Sequence, residues 1–156
     1  MKRIVYALIF FSASGFLLSS FFSGERNKIR FQTIWYGKNS GVFEKKAVII
    51  SSAAEFKKEW DKIAAKDFSM PDSVPVVDFK TKKIIFCYAG DQTNGIQIDS
   101  TIIESNTLTI YERNISLGPD CHEAALLVTP FEIIEVTNAG WKTVMENSRV
   151  KVEDCK

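Results

Sequence analysis

His122 is the only imidazole in this 156-residue chain. That scarcity removes multi-histidine metal centres and leaves any histidine-based acid–base chemistry to one position. Its neighbour is Cys121, which suggests a thiol–imidazole pair. Adjacent residues on an extended chain point to opposite faces, however, so the adjacency argues against a catalytic contact. No serine stands in a G-x-S-x-G elbow, and "GDQTNG" has neither the lysine nor the following helix of a phosphate-cradling loop. The sequence therefore offers no catalytic residues, no metal-ligand spacing and no cofactor motif, and it is read as a nonenzymatic chain. An excess of one charge is missing too. Twenty Lys and Arg stand against nineteen Asp and Glu. Such a balance gives no footprint for nucleic acid.

Cysteine is also sparse, with three in the chain. Their meaning depends on the compartment, which the N-terminus indicates. "MKRIVYALIFFSASGFLLSSFF" has a basic start followed by an uncharged, mostly apolar run from Ile4 to Ser23. Residues 1–23 are thus expected to be a secretion signal, or a membrane anchor if uncleaved, since about 20 apolar residues can span a bilayer. Either outcome puts the body outside the cytoplasm, in the periplasm or cell envelope or secreted. Membrane contact is expected only through residues 4–23, if they are uncleaved. Disulfides are permitted there. Cys87 lies in "IIFCYAG", an apolar strand in which a small buried thiol is the ordinary expectation. The favoured disulfide is Cys121 with Cys155, which would pin the C-terminal tail; the rival pairing is Cys87 with Cys121.

The remaining chain, residues 24–156, has no internal linker or repeat and reads as one domain. The 46% apolar and 25% charged residues of the whole 156-residue chain are those of a globular protein. "IRFQTIWYG" and "KKAVIISS" read as the first strands. In "SSAAEFKKEWDKIAAK", Ser52 with Glu55 makes a capping box, and Phe56, Trp60 and Ile63 recur on one face. That predicts one main amphipathic helix near residues 53–66. Asp78, between "PVV" and the "KTKK" turn, is read as a cap for turn N–H groups rather than a catalyst. "GIQIDSTIIESNTLTIYER" predicts a hairpin of residues 95–104 and 107–114. Pro130 interrupts "AALLVTPFEIIEVT", predicting a bulge or an edge there. "WKTVMENSRVKVED" supplies a final strand or two. The expected fold is α+β, a mostly antiparallel sheet of about seven strands with that helix.

The order "PVVDF", "KIIFCYAG", "DQTNGIQI", "NTLTIYER", "GPDC" and "TPFEIIEV", after an "EFKKEWDKI" helix, resembles the C-terminal domain of the protease complex subunit PrcB family over residues 40–137. The resemblance implies an exported, noncatalytic accessory domain whose partner is another exported protein, a protease among the candidates. One departure concerns the loop. The family usually has Thr-Gly-Gly and then an aromatic, where this chain reads "TNGI", with Asn94 in the place of the first Gly and Ile96 in that of the aromatic. The loop Gly90, Asp91, Gln92, Thr93, Asn94 and Gly95 is the candidate protein-binding surface, because its glycines permit close approach and its polar side chains can be presented. A second reading, from the residues alone, is a glycan or small-molecule module using Trp35, Tyr36 and Trp141 as an aromatic platform.

Overall fold

The computed structural model describes residues 27–119, 121 and 127–154. The expectations for residues 1–23, His122 and Cys155 lie outside the described residues. Within them the fold is α+β, with eight strands in two sheets and one helix. The strands are β1 (Asn27–Ile29), β2 (Phe31–Gly37), β3 (Lys46–Ile50), β4 (Lys82–Tyr88), β5 (Gly95–Glu104), β6 (Thr107–Leu117), β7 (Phe131–Thr137) and β8 (Thr143–Glu153), and the helix is α1 (Ala53–Ala64). One sheet has the order β1-β5-β6-β8 and the other β2-β7-β4-β3.

The second sheet lies in the middle of three layers. Ile84, Phe86, Tyr88, Phe131 and Ile133 face α1, meeting Phe56, Trp60 and Ile63. The alternate residues Ile85, Cys87, Ala89, Ile134 and Val136 face the first sheet, meeting Ile96, Ile98, Leu108, Ile110 and Trp141. Burial on both faces explains why β4 is an unbroken apolar run from Ile84 to Tyr88 rather than an alternating one. Strands β5 and β6 have one face on the core and alternate accordingly.

Helix α1 starts where the capping residues require. The Ser52 hydroxyl accepts the Glu55 N–H at 3.3 Å, while the Glu55 carboxylate reaches back to the Ser51 N–H at 3.1 Å. Phe56 packs edge-on against Trp60 and Phe86, at centroid distances of 5.6 and 5.9 Å. The Tyr88 hydroxyl donates to Glu59 at 2.8 Å and ties the helix to β4. Asp78 caps its turn: its carboxylate accepts the Lys80 N–H at 3.1 Å and the Thr81 hydroxyl at 3.0 Å.

Two local expectations are corrected, for the first strand and for Pro130, and two further segments are specified by the structure. The first predicted strand is two strands, because the chain leaves one sheet for the other at Arg30. The run "PVVDF" forms no strand, its residues instead packing Val77 and Phe79 against the helix-side core. Pro130 neither bulges nor edges a strand but directly precedes β7, a strand flanked by β2 and β4. There its missing N–H is harmless, and its carbonyl accepts the Ala89 N–H at 2.9 Å. Finally, residues 143–153 form one strand that pairs parallel to β6, the single parallel ladder among the described strands.

Trp60 is 1% exposed and Phe68 is 94% exposed. Trp60→Ala is therefore expected to cost about 3–5 kcal/mol, and Phe68→Ala no more than about 0.5 kcal/mol. Urea unfolding of the two variants beside the parent checks both values.

Candidate functional site

The switch of the chain between sheets creates a fork. β1 pairs with residues 101–103 of β5, after which β2 turns away to pair with β7. Residues 95–98 of β5 consequently have β6 on one side and no strand on the other among the described residues. A cleft of about 960 Å³ opens there. Thr33, Tyr36, Lys38 and Asn39 line one wall, Asn94, Ile96, Gln97, Ile115 and Leu117 the other, and Asp67, Phe131 and Glu132 are also at its surface.

Two carboxylates hold the fork in shape. Glu132, inward-facing on β7 and 5% exposed, accepts the Thr33 hydroxyl at 2.6 Å with Oε1 and the Ile98 N–H at 2.7 Å with Oε2. It thereby satisfies the amide that β1 would have paired had it continued along β5. Burial pushes its carboxyl above the ordinary carboxylate value, against the Thr33 and Ile98 hydrogen bonds. Asp67, just beyond α1, accepts the Lys38 and Asn39 N–H groups at 3.0 and 3.2 Å and the Ser69 hydroxyl at 2.6 Å. Burial alone would raise its carboxyl, but hydrogen bonds from Ser69, Asn39 and Lys38 outweigh it and hold the group below the usual range. Gly37 is required beside it: a Cβ there would lie 2.4 Å from the Asp67 carboxylate and 2.6 Å from the Phe131 ring.

The predicted loop divides between support and display. Gly90 is a turn residue with φ +77°, and a Cβ on it would come within 2.9 Å of the Phe43 carbonyl oxygen. Thr93 is buried, its hydroxyl 2.6 Å from the Ile115 carbonyl oxygen. The Asn94 N–H donates to Ile115 at 2.7 Å and the Asn94 side-chain oxygen accepts the Leu117 N–H at 3.2 Å, so this residue prolongs the β5–β6 pairing. Asn94 and Gly95 also line the cleft, whereas Asp91 and Gln92 do not. Gln92 is exposed and donates to the Asp91 carboxylate at 3.3 Å.

The three aromatics do not assemble into a platform. Trp141 is 1% exposed, donates its indole N–H to Thr137 at 3.1 Å and carries the Lys83 ammonium 4.2 Å from its ring centroid. Trp35 packs at the helix-side core, and only Tyr36, 73% exposed, borders the cleft. Among the described residues, no group of three His, Cys, Asp or Glu is disposed to hold a metal ion. Nor is any described helix long and apolar enough to cross a membrane.

Sequence reasoning missed Thr33, Asp67 and Glu132. Glu132 left a trace, an acid in the apolar run "PFEIIEV". Asp67 left none, because its partners Lys38 and Asn39 are almost thirty residues away. No family model, curated protein or solved structure matches the chain.

Glu132→Ala strands the Thr33 hydroxyl and the Ile98 N–H, and is expected to cost about 2–4 kcal/mol. Glu132→Gln keeps an acceptor for Ile98 and is expected to lose less than half of that. Hydrogen exchange at the Ile98 amide distinguishes the two, accelerating in the alanine variant and staying protected in the glutamine one.

Proposed function

We propose that this is an exported, noncatalytic domain that binds another protein through the cleft at the sheet fork and the adjoining 90–95 loop, as an accessory, stabilising or regulatory subunit of an extracytoplasmic protease complex. The observation that carries the binding surface is the fork. It leaves a strand edge at residues 95–98 beside a cleft of about 960 Å³ whose walls combine apolar Tyr36, Ile115 and Leu117 with polar Lys38, Asn39 and Gln97. A strand edge with flanking side-chain pockets is how folded domains take an extended segment of a partner. The carboxylates that shape the walls, Glu132 and Asp67, are already occupied by internal donors. They hold the cleft in place rather than supply chemistry.

The export reading rests on residues 1–23, and the accessory role rests on the resemblance carried by residues 40–137. An extracytoplasmic location also agrees with a Cys121–Cys155 disulfide. Cys87 is a free, buried thiol. Cys121 has its sulfur 3.7 Å from the carbonyl oxygen of Glu153, two residues before Cys155. Closing that loop would stabilise the chain by about 3–4 kcal/mol on the chain-entropy account.

Crosslinking pull-downs from native cell envelope test the binding surface, with wild type beside a Tyr36→Ala, Gln97→Ala double variant and a Gln92→Ala variant. Both positions of the double variant are at the cleft, and the Gln97 side chain is solvent-exposed. The expected result is an exported protease or protease-complex subunit enriched by wild type and lost at least fivefold by the double variant; equal recovery would remove the cleft from the proposal. Peptide mapping of the exported protein without reductant is expected to recover Cys121 joined to Cys155 and Cys87 alkylated only after unfolding. A Cys87-containing crosslink would reverse the assignment.

A further inference from the structure

The inward positions of β6 read Leu108, Ile110 and Glu112, so an acid occupies the register of the core. Glu112 is fully buried. Its Oε1 binds the Lys45 ammonium and accepts the Ser148 hydroxyl at 2.6 Å, and Lys45 also donates to Ser148. Its Oε2 is buried with no hydrogen-bond partner among the described residues. The parallel ladder sets Glu146 of β8 opposite Ile110 and Ser148 opposite Glu112. Glu146 thus shares the inward face and sits diagonally beside Glu112, and its own Oε1 is likewise buried without a partner among the described residues.

One cation serves two carboxyls here. The other titratable groups facing the pair add no positive charge. Cys87 of β4 is a thiol held neutral by burial and by these acids, and Glu132 of β7 is a third acid. Arg113 and Arg149, on β6 and β8, bind Asp99 of β5 on the other face. Lys46, the first residue of β3, lies over the Tyr88 ring. Meanwhile β8 is an edge strand whose ladder partner is β6. It has no ladder to β3; Lys45, the residue just before β3, bridges to Glu112 and to Ser148 of β8.

We infer that the seam between β3 and β8 is a proton-controlled latch, closed when Glu146 carries a proton beside Glu112 and Lys45 and loosened when Glu146 is ionised. Burial first, and then the Glu112 charge, push the Glu146 carboxyl from 4.5 up to about 7, with Lys45 opposing. A raised acid means that the closed seam binds the proton more tightly than the open one. Closure is therefore favoured at low pH, weakens as pH rises from 4.5 towards 7, and levels off above that. Behind the pair lies Cys87, 0% exposed, which the opened seam uncovers.

The test is the rate of Cys87 modification by dithiodipyridine in the full chain, normalised at each pH to the urea-unfolded chain. Between pH 5 and pH 7.5 the normalised rate is expected to rise roughly tenfold in wild type. Glu146→Gln, a fixed mimic of the protonated acid, is expected to hold the slow rate throughout. Lys45→Met removes the charge that favours ionisation and is expected to move the midpoint upward. A flat wild-type profile, or an equal rise in Glu146→Gln, would overturn the latch. A response abolished by EDTA would overturn it too, assigning the pair to a divalent cation. Carboxyl carbon NMR of the wild type needs no variant: a Glu146 titration in the ordinary range near 4.5 sinks the inference on its own.

Discussion

Burial of β4 and β7 on both faces is the constraint from which the remaining architecture follows. A strand pair covered on both sides must meet apolar surface twice, once on α1 and once on the β1-β5-β6-β8 sheet. The helix therefore needs only one apolar face, which Phe56, Trp60 and Ile63 provide. The opposite sheet needs only one as well, and its outer side is free to carry ion pairs such as Arg113 with Asp99. Two cores result, each of ten buried residues among the described ones, both built around the same two strands.

Such a sandwich ought to be dry between its sheets, yet Glu112 and Glu132 are both buried there. Each has a geometric reason. Glu132 replaces the strand that β5 loses where the chain crosses to the other sheet, and so converts a broken ladder into a shaped cleft. Glu112 stands where β3 and β8 approach without a backbone ladder, and its partners Lys45 and Ser148 bridge that gap. Polar side chains do the joining at the two places where backbone pairing stops. Leaving either acid without its donors would be costly, since a buried charge is tolerated only when paired and hydrogen-bonded.

Local signals were readable where the physics is local. The capping pair Ser52 and Glu55 and the apolar spacing of α1 act within one or two turns, and the helix forms where they place it. The hairpin of β5 and β6 follows from "ESNT", with Ser105 at φ 56° in the turn. Asp78 caps its own turn through neighbours two and three residues away. The candidate site was legible only at its rim: Asn94 and Gly95 border the cleft, but its shaping carboxylates were not found, nor was Trp141 recognised as core. The backbone N–H groups that Asp67 and Glu132 accept, those of Lys38 and Ile98, are tens of residues distant, and no periodicity encodes them.

The sequence by itself determined the class of fold, the helix and its buried face, and the hairpin, because capping, alternation and turn chemistry operate between near neighbours. Tertiary structure decided the crossing at Arg30, the parallel docking of β8 on β6, and hence both the cleft and the pairing of Glu112 with Glu146. Those depend on which faces remain to be covered once the two central strands are buried. That choice is made by packing across the whole chain rather than along it.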